Sequence, residues 1–187
     1  MRKRLLFLGA LLTLIAAFAV FALPKLVRGI QYPVRYEPEI RAAAAEFGLN
    51  PALVAAIAYT ESGYRADARS SVGAMGLMQI MSDTGKWIAG KLGEADSFSD
   101  GSLFSPQTAL RYGCWYLRFL LMEFGGDETC AVAAYHAGQG SVRKWLSDPA
   151  YSDDGLTVRA FPDDAPQTRH YIAKVRKAYE YYQNAYR

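Results

Sequence analysis

From Leu5 to Leu23 the chain runs 19 residues without a charge and without a polar face. A helix of that length spans roughly 28 Å at about 1.5 Å per residue, close to the hydrocarbon thickness of a bilayer. The basic cluster Arg2 to Arg4 favours the cytoplasmic side and sends the rest of the chain across. Two readings stay open: an uncleaved single-pass anchor over residues 1–23, or a secretory signal cut near Val20 and Ala22. A buried core helix is disfavoured because the run lacks a polar face. The stretch that follows, residues 24–35 with Gly29 and Pro33, reads as a tether.

Beyond it the apolar positions are punctuated by helix start and stop signals. Pro38 opens a segment Glu39 to Phe47 that Gly48 closes, and Asn50 with Pro51 is an N-cap and first-turn pair for a helix to about Ser62. Ser105 and Pro106 repeat that signature before a long helix ending at Phe124, stopped by Gly125. Asp127 caps a helix through Tyr135, Ser141 a short one through Leu146, and Thr168 the last. Asp67 to Met81 holds Gly73 and Gly76 and few helix-period positions, so it predicts a loop with at most a short β-hairpin. The fold class expected is α+β, predominantly α, with one compact domain over residues 36–187.

Composition agrees. Of 187 residues, 51% are hydrophobic and 21% charged, enough for one packed core and too little for two large domains. The net charge of +3 is misleading, because five of the 21 Lys and Arg precede residue 31 and all 18 acids follow it. The exported body is mildly acidic and has no basic stripe, which removes nucleic acid as a partner. Cys114 and Cys130 face an oxidising compartment, but on consecutive antiparallel helices turning at Gly125 they stand roughly 12 Å apart, so buried free thiols are expected.

The candidate chemistry is sparse. His136 and His170 are the two histidines, neither in a His-Glu-x-x-His pattern, so no metal and no cofactor is expected. No Gly-x-Ser-x-Gly or phosphate-cradling loop is present. One carboxylate is oddly placed: Glu61 follows Ile57 by four residues and so shares the inward face of Leu53, Val54, Ile57 and Ala58. There both desolvation and the negative end of the helix dipole favour the protonated form. The plainer reading has its carboxylate escaping to solvent or pairing with Arg65.

The neighbouring residues decide between the two. The run Glu61-Ser62-Gly63-Tyr64, then Ser70 to Met81 (SSVGAMGLMQIM), then Ala133 to Val142 (AAYHAGQGSV) and Thr168 to Ile172 (TRHYI), resembles in order and spacing the signature of lytic transglycosylases of the soluble-transglycosylase (SLT) type. The resemblance covers roughly residues 36–187. It implies a lysozyme-like α+β fold and cleavage of peptidoglycan glycan strands between N-acetylmuramic acid and N-acetylglucosamine. Position by position it implies that Glu61 is the single acid/base. Ser70, Gln79 and the backbone from Gly76 to Met78 match the stretch lining the sugar groove, with Met78 or Met81 as an apolar floor. Tyr135 matches the tyrosine that approaches the carboxylate, and Tyr171 a second groove tyrosine. The methionines read equally as core filler, and Tyr171 shares a helix face with Val175 and Tyr179 and reads also as packing. The family usually has Asn where this chain has His136 and Glu where it has Gln167. An imidazole replaces one amide hydrogen bond but not both, and it either titrates near neutral pH or is satisfied by a backbone partner.

The resemblance further implies a reaction without water, in which Glu61 first donates and then accepts a proton and leaves a 1,6-anhydro end. Two other functions stay open: a lysozyme-type muramidase using water, and a membrane-tethered peptidoglycan-binding scaffold without turnover.

Overall fold

A computed structural model describes residues 13–187. They divide at Pro33 into two compact units. In the first, the described backbone is helical from Thr13 to Gln31: Thr13–Ala22 is a short apolar helix, π-helical over Phe18–Ala22, and α1 (Leu23–Gln31) follows it. The segment read as a tether is therefore helical over most of its length. Residues 5–12 of the apolar run lie outside the described residues, and among the described residues no single helix is long and apolar enough to cross a membrane.

The second unit, Val34–Arg187, is built from seven α-helices, α2 (Glu37–Glu46), α3 (Pro51–Ser62), α4 (Ser82–Leu92), α5 (Pro106–Glu123), α6 (Glu128–Ala137), α7 (Gln139–Leu146) and α8 (Pro166–Ala185), with two short 3-10 helices, Ala95–Ser97 and Asp100–Phe104, between α4 and α5. Its centre is α3. Every residue from Ala52 to Ala58 is buried, the pattern of a helix that is apolar on all sides and must lie inside. Asn50 Oδ1 accepts the Ala52 N–H at 2.9 Å, Pro51 fits the first turn, and Gly63 ends the helix in the left-handed region. α8 and α2 pack along α3, α5 packs on α2 and α6, and α6 also meets α7 and α8. Arg111 of α5 bonds both Glu46 on α2 and Glu94 just after α4, and so joins three helices.

Three of the predicted caps hold. Besides Asn50, Ser105 accepts from Thr108 N–H and Asp127 from Cys130 N–H. Two do not. Ser141 lies inside α7, its hydroxyl donating back to the Ala137 carbonyl, because α7 starts at once after Gly138, whose φ of 81° turns the chain out of α6. Thr168 lies inside α8, which begins two residues earlier at Pro166, and its side chain is buried. The α+β expectation also needs correcting. Among the described residues the would-be hairpin is reduced to the isolated bridges Arg69 to Met75 and Met75 to Ile80, since Gly73, Gly76 and Gln79 take positive φ and interrupt any extended run. The body is helical. Cys114 and Cys130 are buried and free, as the spacing argument expected.

Candidate active site

Glu61 sits in the last turn of α3, one turn beyond the fully buried Ile57 and Ala58. Its carboxylate does not pair with Arg65, whose Nε donates to the Ser62 carbonyl instead. The partner is Tyr171 of α8, whose hydroxyl donates to Glu61 Oε1 at 2.6 Å. Burial pushes the Glu61 pKa up to about 7, against a smaller opposing pull from that hydrogen bond. Desolvation wins because a buried carboxylate loses its hydration and gains one neutral donor in exchange.

The loop from Ala68 to Ile80, which follows α3, is held by its own hydrogen bonds. Ser70 closes a turn with Ala74, by N–H to carbonyl and by Oγ accepting the Ala74 N–H, both at 2.9 Å. Gln79, with φ of 48°, donates from Nε2 to the carbonyls of Ala68 and Gly76. Gly76 has φ of 72°, and a Cβ there would stand 1.9 Å from the Leu103 carbonyl oxygen, so only glycine fits. Ser62, part of the Glu61-Ser62-Gly63-Tyr64 run but given no role from sequence, ties this loop to α3 by donating to the Leu77 carbonyl at 2.9 Å.

Several predicted positions turn out differently placed. Met78 is fully buried, its side chain filling the space above Gly113, so it is core and not a groove floor. Met81 remains 43% exposed and alone can present an apolar face. Tyr135 does not bond the acid: its hydroxyl donates to the Met78 carbonyl at 3.0 Å, and it reaches Glu61 only through charge, which together with burial holds its phenol protonated. Tyr171 is the tyrosine that contacts the carboxylate directly. His136 stacks on Tyr171 with ring centroids 4.5 Å apart, and its Nδ1 meets the Thr168 hydroxyl at 3.2 Å. Partial burial of the ring lowers the imidazole pKa. Thus Glu61, Tyr171, His136 and Thr168 form one contiguous cluster. Among the described residues no group of three His, Cys, Asp or Glu converges as a metal site would.

A mainly helical body with one desolvated carboxylate at the end of its central helix defines a lysozyme-like domain. The model of the transglycosylase SLT domain family matches residues 38–155, and the chain belongs to that family. It is 32% identical over 156 residues to the soluble lytic murein transglycosylase of Salmonella typhimurium, covering 82% of this chain and 24% of that one. It is 31% identical over 166 residues to membrane-bound lytic murein transglycosylase C of Serratia proteamaculans, covering 79% and 46%. Among solved structures, an inactive mutant of the lytic transglycosylase Slt of Pseudomonas aeruginosa superposes with a TM-score of 0.72 at 30% identity, over 84% of this chain and 25% of that one. The chain therefore spans about a quarter of the soluble relatives and about half of the membrane-bound ones.

Proposed function

We propose that the chain is a peptidoglycan lytic transglycosylase that cleaves the β-1,4 bond from N-acetylmuramic acid to N-acetylglucosamine and leaves 1,6-anhydro ends. The observation that carries this is the buried Glu61 carboxyl, protonated up to about pH 7 and aimed by Tyr171. Most glycosidases divide the work between two carboxylates; here one group serves twice. Glu61 donates its proton to the glycosidic oxygen as the C1–O bond breaks, and the N-acetylglucosamine side leaves as an alcohol. The muramic acid's own acetamido oxygen stabilises the positive charge developing at C1. Glu61, now a carboxylate, takes the proton of the C6 hydroxyl as that oxygen bonds to C1. The proton count closes, Glu61 is restored and no water is consumed. A pKa near the working pH suits both half-reactions.

The Ser70, Gly76 and Gln79 loop is the rigid wall of the sugar groove in this reading, Met81 offers a sugar-facing apolar surface, and Tyr135, His136 and Tyr171 line the opposite side. The printed names of the relatives, lytic murein transglycosylases both soluble and membrane-bound, support the substrate and a site of action outside the cytoplasm, reached by a membrane anchor or by secretion. Digestion of purified sacculi with wild type and Glu61→Gln, read by mass spectrometry, tests the proposal. Anhydro ends that vanish in the variant are expected. Reducing ends, heavier by one water, identify a muramidase instead, and equal clearance by the variant removes Glu61 from the chemistry.

A further inference from the structure

Glu61 is held by the tip of a long side chain, the Tyr171 hydroxyl at 2.6 Å. The outer torsion of an aromatic side chain is broad rather than staggered, so one bond at the tip does not fix the plane of the ring. Burial and the facing Glu61 hold the Tyr171 phenol well above its ordinary pKa, and its hydroxyl stays a donor. Whether that donor points at Glu61 depends on what lies against the ring.

His136, in the last turn of α6, lies there. Its imidazole stacks on the Tyr171 ring with centroids 4.5 Å apart and planes 28° from parallel, an arrangement that aromatic pairs favour. A ring on that face blocks the phenol from swivelling. The imidazole is anchored in turn, its Nδ1 meeting the Thr168 hydroxyl at 3.2 Å. Thr168 and Tyr171 stand three residues apart on α8, on one face of that helix, and both are buried, whereas His136 is exposed. It therefore fastens on one buried residue of α8 and braces the other. The family usually has Asn at this position, and an amide has no ring to stack, so the brace belongs to this chain.

We propose that His136 is a positioning residue for the proton transfer: anchored on Thr168, it fixes the Tyr171 ring so that the hydroxyl stays on Glu61 Oε1. The assignment rests on the proposed function and adds a line of contacts, Thr168 to His136 to Tyr171 to Glu61, through which His136 acts on the acid.

A double-mutant cycle on the full chain tests it. Wild type, His136→Ala, Tyr171→Phe and the double variant are compared in two assays. One is cleavage of solubilised glycan strands; the other, without substrate, is an NMR titration of the Glu61 side-chain carboxyl, identified by its loss in Glu61→Gln. His136→Ala should lower kcat about fivefold, the size of one aromatic pair, with KM unchanged. It should also move the Glu61 midpoint upward, since the Tyr171 bond it loosens favours the ionised acid. In the Tyr171→Phe background the same substitution should change neither quantity, because the hydroxyl to be positioned is gone. His136→Phe, which keeps a ring, should recover most of the loss, and His136→Asn should not. An unshifted Glu61 midpoint, an effect of equal size with and without the Tyr171 hydroxyl, a loss confined to KM, or failure of His136→Phe to rescue overturns the assignment. If the coupled shift of Glu61 is found while wild type cleaves nothing, the positioning stands and the catalytic reading falls.

Discussion

Glu61→Gln should abolish turnover and at the same time stabilise the protein, by an amount that depends on pH. In the folded chain Glu61 titrates at about 7 rather than 4.5. Between those values the folded state keeps a proton that the unfolded state has released, so stability falls as pH rises through the window and is level above it. At about 1.36 kcal/mol per pKa unit, ionising Glu61 in place costs the fold about 3 kcal/mol. Glutamine has the same shape, cannot ionise, and keeps a carbonyl oxygen to accept the Tyr171 hydroxyl. The two proteins should match in stability near pH 4, and the variant should lead by about 3 kcal/mol above pH 7. For a body of this size that is a Tm difference of about 6 to 12 °C. Urea denaturation of both proteins at intervals from pH 4 to 8 measures the gap directly. A gap that does not change with pH would mean that Glu61 ionises like an exposed carboxylate, and the proton-donor role would lose its physical basis.

Tyr171→Phe removes the hydrogen bond that favours the ionised acid. The alkaline limb of the kcat/KM profile should move up by about one pH unit while kcat falls, and an unmoved limb would count against the contact. Gly76→Ala places a Cβ 1.9 Å from the Leu103 oxygen at a left-handed φ and should destabilise by at least about 3 kcal/mol in denaturant titration; a near-neutral result would mean that the loop does not hold this path. Both cysteines are buried, and burial raises both thiol pKa values, that of Cys130 to about 11. A thiol reagent at neutral pH should label neither before unfolding, and rapid stoichiometric labelling of the native chain would contradict the packing.

What could be read in advance and what could not follows from the range of the interactions. Asn50, Ser105 and Asp127 were legible as caps because each bonds an N–H two or three residues on. Ser141 and Thr168 carry the same residue types, yet Gly138 and Pro166 start their helices earlier, and a local rule cannot tell which of two adjacent start signals the chain will use. Helix α4 went unread because the residue at its N-cap, Met81, offers no side-chain cap and the helix contains Gly85 and Gly90. Gly85 is there for space, since a Cβ would lie 2.8 Å from the Phe98 ring. The inward position of Glu61 was legible from a four-residue spacing, but its partner was not, because Tyr171 lies 110 residues away. The same holds for Met78, whose burial depends on Gly113 leaving room for it. The acid is therefore a property of one helix, whereas its pKa belongs to the tertiary fold. Substitutions on α8 that alter the burial of Glu61 should therefore shift the pH at which it titrates.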